Sequence, residues 1–142
     1  MRSSRTGAPS PSVTSAVLDA SALMALLRAE PGAETVARSL GGAVISAVNY
    51  SEVLKKAIER GGDSEQAAAF IRSLSVMIVP FDEAQAAASA ALYPQTKQHG
   101  MSFADRACVA LGIQRRAVVL TSERKMGLLN LPIKVTVIRN AP

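Results

Sequence analysis

Cysteine, histidine and aromatic residues are scarce in this chain of 142 residues, and each scarcity removes a class of function. A lone cysteine, Cys108, excludes an intramolecular disulfide framework and any metal site built from several thiolates. A lone histidine, His99, disfavours zinc enzymes with multiple imidazole ligands and leaves a Ser-His-Asp triad a single candidate base. Tryptophan is absent and aromatics amount to 4%, which argues against a base-stacking platform for nucleic acid. No apolar run approaches the roughly 18 residues that a membrane-spanning helix needs. The opening MRSSRTGAPSPS lacks the hydrophobic stretch of a secretory signal, so a reducing cytoplasm is the expected setting. Neither GxGxxG nor a P-loop pattern occurs, which sets aside dinucleotide and nucleotide-triphosphate sites of those kinds.

What is present is a globular composition, 49% apolar and 19% charged, with a net charge of +5 that favours a polyanionic partner. Residues 1–12 are small, polar and proline-containing and read as a disordered leader or a vector-derived remnant, which leaves 13–142 as a single domain. A compact chain of this size buries close to 70% of its unfolded surface and needs no staples.

Five short β-prone runs punctuate the sequence at 13–18 (VTSAVL), 43–46 (AVIS), 75–80 (SVMIVP), 117–121 (AVVLT) and 133–138 (IKVTVI). Helical patterns lie between them: from Ala20 to the Pro31-Gly32 break, over 33–40, from Ala47 to Gly61-Gly62, and over 63–74. A long alanine-rich helix over 82–98 is expected to end or kink near Pro94, and a helix over SFADRACVALGIQRR and a short turn at SERKMGLLN follow. Such alternation predicts an α/β fold whose central, mostly parallel sheet of four to five strands is covered on both faces. Ligands of such sheets collect beyond the C-terminal ends of the strands.

The acids divide by position. Glu30, Glu34, Glu59, Asp63, Glu65, Asp82 and Glu83 lie at helix ends or in polar stretches and read as solvated surface. Asp19 directly follows the first strand, Glu52 lies one to two turns past the second, Glu123 lies just past the fourth, and Asp105 opens the helix leading into that fourth strand. Each has a local explanation. Asp19 can cap the helix at Ala20, Asn49–Glu52 and Ser102–Asp105 match a capping-box pattern, and Glu123 can complement a helix dipole. Their joint placement at one sheet edge points further. Four gathered carboxylates repel one another, and a divalent cation on oxygen-only ligands, Mg²⁺ or Mn²⁺, removes that cost. Ions so held activate water and clamp a phosphodiester for in-line displacement, leaving a 5′-phosphate and a 3′-hydroxyl. With those four set aside, sixteen basic residues face seven acids, a basic body around an acidic pocket.

VLDASAL around Asp19, ISAVNYSEV around Glu52, MSFADRACVALG around Asp105 and VVLTSERKM around Glu123 together resemble the motifs of the PIN-domain family, more narrowly its VapC-type ribonuclease toxins of bacterial toxin–antitoxin modules. The likeness runs in order from about Val13 to Ile138. It implies a three-layer α/β/α sandwich and a Mg²⁺- or Mn²⁺-dependent endoribonuclease, commonly a homodimer, with a cognate antitoxin that lays a peptide over the active site. Asp19, Glu52 and Asp105 fall on the family's three principal acids, Thr121 on the hydroxyl residue before the fourth, and Ser21 and Asn49 on supporting polar positions. Glu123 stands where the family usually has Asp, an arm longer by roughly 1.5 Å, and Met126 lies near a position often aromatic. Both departures bear on a second metal position.

Among the basic residues flanking these motifs (Arg106, Arg115, Arg116, Arg124 and Lys125), Arg106 and Arg124 adjoin proposed ligands and are the candidate RNA contacts. His99 reads as a surface-loop residue and Cys108 as a buried, inert thiol. Ala84, Ala87, Ala88 and Ala91 form a small-residue stripe suited to close packing in the core or in a dimer. The competing readings are a PIN-like RNA- or protein-binding module without catalysis and, more remotely, a receiver-like phosphotransfer domain, which wants further acids at the first strand and a lysine after the last.

Overall fold

Four of the five β-prone runs contribute a strand shorter than the run, and the second, 43–46, is a strand throughout. A computed structural model describes residues 13–139, so the leader expected over 1–12 lies outside the described residues. The strands are β1 (Ala16–Leu18), β2 (Ala43–Ser46), β3 (Met77–Val79), β4 (Val119–Thr121) and β5 (Val135–Val137). They form a five-stranded sheet in the order β3-β2-β1-β4-β5, and all neighbouring pairs are parallel. The chain builds outward from β1 through β2 to β3, then crosses to the other side of β1 to lay down β4 and β5. The strand order therefore reverses between β1 and β4, and that reversal opens a crevice beyond their C-terminal ends.

The helices are α1 (Ala20–Leu27), α2 (Ala33–Arg38), α3 (Ala47–Glu59), α4 (Ser64–Ser73), α5 (Glu83–Ala91), α6 (Tyr93–Thr96), α7 (Phe103–Arg115) and α8 (Arg124–Gly127). Side chains alternate across the sheet as the two-residue strand period requires. Ala16, Leu18, Ile45 and Leu120 pack with Leu23 of α1, Val36 of α2, Val53 of α3 and Ile71 of α4. Val17, Val44 and Val119 pack on the opposite face with Cys108, Val109 and Leu111 of α7 and with Met126. Both faces are thus covered, giving the α/β/α layering. Helix starts follow from capping side chains: Asp19, Ser46, Asp63, Asp82 and Ser102 each accept a bond from a first-turn backbone N–H.

Two local expectations are resolved. The helix expected over 82–98 breaks near Pro94 as expected: it stops after Ala91, resumes as the single turn of α6 with Pro94 inside its first turn, and ends in a 3₁₀ turn over Lys97–His99. Proline tolerates a first turn, where its missing N–H costs nothing, but not a helix interior. The alanines of α5 do not face the core: Ala84, Ala87, Ala88 and Ala91 are exposed, while Gln85 and Ser89 are buried. Gln85 Nε2 donates to Gln114 Oε1 of α7 at 2.5 Å, so a polar bond rather than a small-residue seam joins the two helices.

Helix α7 is buried continuously from Ala107 to Gly112 and crosses closest to the sheet at its glycine. A Cβ on Gly112 would lie 2.7 Å from Val119 Cγ2 and 3.1 Å from Ile133 Cδ1. Gly112→Ala gains about 1 kcal/mol of helix propensity but forces α7 off β4, an overpacking cost of about 1–3 kcal/mol. A net loss of stability is expected in urea unfolding. In a Val119→Ala background, which removes the clashing methyl, the same substitution loses that penalty in a double-mutant cycle.

Candidate active site

Asp19 is the most constrained acid of the chain. It directly follows β1, caps α1, and is 3% exposed. Its Oδ1 accepts from Ser21 Oγ at 2.7 Å and from the Ala22 N–H at 2.8 Å, and its Oδ2 accepts from Thr121 Oγ1 at 2.5 Å. Thr121 ends β4 and also accepts from the Glu123 N–H at 3.0 Å, while Ser21 Oγ accepts from the Ser122 N–H at 2.8 Å. Asp19, Ser21 and Thr121 thus form one hydrogen-bonded clasp across the β1–β4 crevice, and the clasp fixes the turn that presents Glu123.

Glu52 and Asp105 approach from the other side. Helix α3 starts with Ser46 as its cap, so the capping-box reading of Asn49–Glu52 is overturned and both residues lie inside the helix. Asn49 is buried, and its Nδ2 donates to the Ala104 carbonyl at 3.0 Å, tying α3 to the first turn of α7. Glu52, one turn further along, is half-buried. The capping box at Ser102–Asp105 is real: Ser102 Oγ accepts from the Asp105 N–H at 3.1 Å and Asp105 Oδ2 accepts from the Ser102 N–H at 3.0 Å.

Glu123 stands at the start of α8 and makes no capping bond with its side chain. Its carboxylate pairs instead with Lys125 Nζ at 3.4 Å, and the same ammonium lies 3.5 Å from Asp105 Oδ2 and donates to the Gly100 carbonyl at 3.0 Å. Of the flanking cations, Lys125 is therefore the one seated on the acids, although Arg106 and Arg124 are the sequence-level candidates. Arg124 is exposed. Arg106 reaches the Met101 carbonyl at 3.5 Å and lies over the Tyr93 ring, 5.5 Å from its centroid. Its spacing two residues past Glu123 is the only sequence signal for Lys125, and local spacing does not reveal the fold back toward Asp105.

The acids act on one another. Burial pushes the Asp19 carboxyl up from 3.8 to about 6 against the hydrogen bonds from Thr121, Ser21 and Ala22, and Glu123 adds to the rise. Burial also raises Glu52, with Lys56 opposing and Asp105 and Glu123 reinforcing. Burial pushes the Cys108 thiol well up, helped by Asp19, Asp105 and Glu52, so it is inert beneath the carboxylates. Partial burial works to lower Lys125, but Asp105 and Glu123 outweigh it and hold the ammonium above its usual range. His99 is exposed.

Among the described residues, no three acidic, histidine or cysteine side chains are gathered closely enough to hold a metal as they stand. The donor set nevertheless fits a hard divalent cation. It is oxygen-only, its carboxylates raise one another, and Asn49 Oδ1 is buried without a hydrogen-bond partner. No helix among the described residues is long and apolar enough to cross a membrane.

The PIN domain family model matches residues 16–129. Among solved structures, a toxin–antitoxin complex from Klebsiella pneumoniae superposes with a TM-score of 0.70 at 20% identity, covering 89% of this chain and 100% of that one. DNA-bound VapBC from Salmonella typhimurium gives 0.66 at 16% identity, covering 87% and 98%. FitAcB from Neisseria gonorrhoeae gives 0.63 at 22% identity, covering 84% and 95%. At these identities the likeness is one of fold. Compared with curated protein sequences, the chain shows no significant match.

The raised Asp19 carboxyl fixes the sign of a stability change with pH. The folded chain binds this proton near 6 and the unfolded chain near 3.8, so between these values the folded state holds more protons and gains stability as pH falls. The cost of the ionised form is fully present above the folded value and gone below the unfolded one, and it amounts to about 3 kcal/mol. In chelator, the unfolding midpoint of the wild type is expected to rise as pH is lowered from about 7 to about 5. Asp19→Asn should start higher at neutral pH and lose most of that rise. A wild-type midpoint that falls steadily over the same window contradicts it.

Proposed function

From a chain that belongs to the PIN domain family, generally a family of nucleases, we propose a metal-dependent endoribonuclease that acts as the toxin of a type II toxin–antitoxin pair of the VapC kind. The observation that carries the reading is the convergence of Asp19, Glu52, Asp105 and Glu123 on the crevice where the sheet reverses its strand order. The solved structures of similar fold add weight, since one is described as a toxin–antitoxin complex and another as DNA-bound VapBC.

Asp19, Glu52 and Asp105 would hold Mg²⁺ or Mn²⁺, with Glu123 as a fourth ligand, direct or through water. A divalent ion there lowers the pKa of water and neutralises charge on the phosphodiester. The protein's own part is orientation and charge. Thr121 and Ser21 hold both oxygens of Asp19, Asn49 holds α3 against α7, and the Ser102 N–H holds Oδ2 of Asp105. The excess of basic residues draws RNA toward the acidic crevice, with Arg124 and Arg106 as its weaker contacts. The partners are an RNA substrate, a cognate antitoxin whose peptide covers the crevice, and a second copy of the chain; the setting is the cytoplasm.

Purified protein is expected to cleave RNA with Mn²⁺ or Mg²⁺ and to lose cleavage in chelator. Asp19→Asn and Asp105→Asn should abolish it while circular dichroism stays unchanged, and Thr121→Val should lower it about 10–100-fold by freeing Asp19. Undiminished cleavage in chelator refutes the metal-dependent mechanism. The open arrangement of the acids favours a second reading, a PIN-like binding module. Salt-dependent RNA binding without cleavage under either cation would establish it.

A further inference from the structure

We infer that the Lys125 ammonium occupies the position of a second cation, so that the carboxylate cluster takes a single divalent ion. The inference rests on the metal-centre reading above and deepens it. An ammonium has three N–H donors, and Lys125 Nζ faces three oxygens: Asp105 Oδ2 at 3.5 Å, Glu123 Oε1 at 3.4 Å and the Gly100 carbonyl at 3.0 Å. Two carboxylates and a backbone carbonyl are the ligand types that a hard divalent ion takes. Here they converge on a lysine from the same short turn as Glu123, anchored by a carbonyl from the loop before α7.

Distance is what favours this exclusion, since Lys125 with a single divalent ion leaves the four carboxylates at −1 and a second ion would leave them at +1, an equal imbalance. A Mg²⁺ ion bridging Asp105 and Glu123 must lie about 2.1 Å from each oxygen, inside the space that Nζ faces, and like charge would expel one or the other. Asp19 and Glu52 make no ion pair among the described residues. The single ion is therefore assigned to the side of the crevice that those two acids share with the free edge of Asp105.

Calorimetric titration of the full chain with Mn²⁺ alone tests the inference, with circular dichroism confirming that every variant is folded. Wild type is expected to bind a single Mn²⁺, and Lys125→Met a second one in addition. Lys125→Arg, which keeps the charge, is expected to retain the single ion. Lys55→Met, which removes the same charge from the exposed Lys55–Glu59 pair on α3, should behave as wild type. Equal stoichiometry in wild type and Lys125→Met overturns the inference and leaves the metal centre standing, and a second ion gained by Lys55→Met overturns it as a general charge effect. No Mn²⁺ bound by any variant overturns the metal centre, and the inference with it.

Discussion

The carboxylate of Asp19 is the constraint on which the crevice depends. It is buried at the end of the central strand, where desolvation works against its charge, and it persists because three donors from two strands' ends converge on it. Those donors are also what joins the β1–α1 turn to the β4–α8 turn. A parallel sheet leaves such turns at one edge, and the reversal of strand order between β1 and β4 separates them. Without the Asp19 clasp the two turns have only the strand ladder to hold them in register, and Glu123 has no fixed position relative to the other acids.

Local structure and chemistry are not rival explanations at these positions. Asp19 caps α1 and Asp105 completes the capping box of α7, so the bland readings hold for both. Yet capping accounts for only part of what each carboxylate does. Asp19 spends its second oxygen on Thr121, one hundred and two residues away, and Asp105 shares Lys125 with Glu123. Glu52 and Glu123 do no capping with their side chains at all. An acid that merely starts a helix has no reason to be coupled to acids on other elements, as Asp19 is to Glu123 and Glu52 is to Asp105 and Glu123.

The sequence made the layers legible because their signals are local: five β-prone runs, breaks at Pro31-Gly32 and Gly61-Gly62, and capping residues at the helix starts. The four acids were legible through order and spacing. What was not legible depended on packing. The inward face of α5 carries Gln85 and Ser89 rather than its alanines, because Gln114 on α7 offers a partner that no periodicity of α5 reveals. Asn49 reads as a cap from its neighbours, but Ser46 starts the helix first, and Asn49 is left to bridge to Ala104. Lys125 was one of five flanking cations, and adjacency to an acid in sequence favoured Arg106 and Arg124. The tertiary approach of Gly100 and Asp105 selects Lys125 instead.

The overlap of capping and charge decides which substitutions are informative. Replacing Asp19 or Asp105 with alanine removes a helix cap worth about 1 kcal/mol together with the carboxylate, and at Asp19 it also takes the acceptor from the buried Thr121 hydroxyl and the half-buried Ser21 hydroxyl. Asparagine keeps an oxygen to accept from Ala22 or Ser102 while removing the charge, so only the amide separates the acid's electrostatic part from its structural one. Glu123 is the converse case. Its side chain caps nothing, its extra methylene reaches toward Lys125, and its backbone N–H rather than its carboxylate is tied to Thr121. Changes at Glu123 therefore report on charge alone, and it is the one acid of the four whose loss the fold should hardly register.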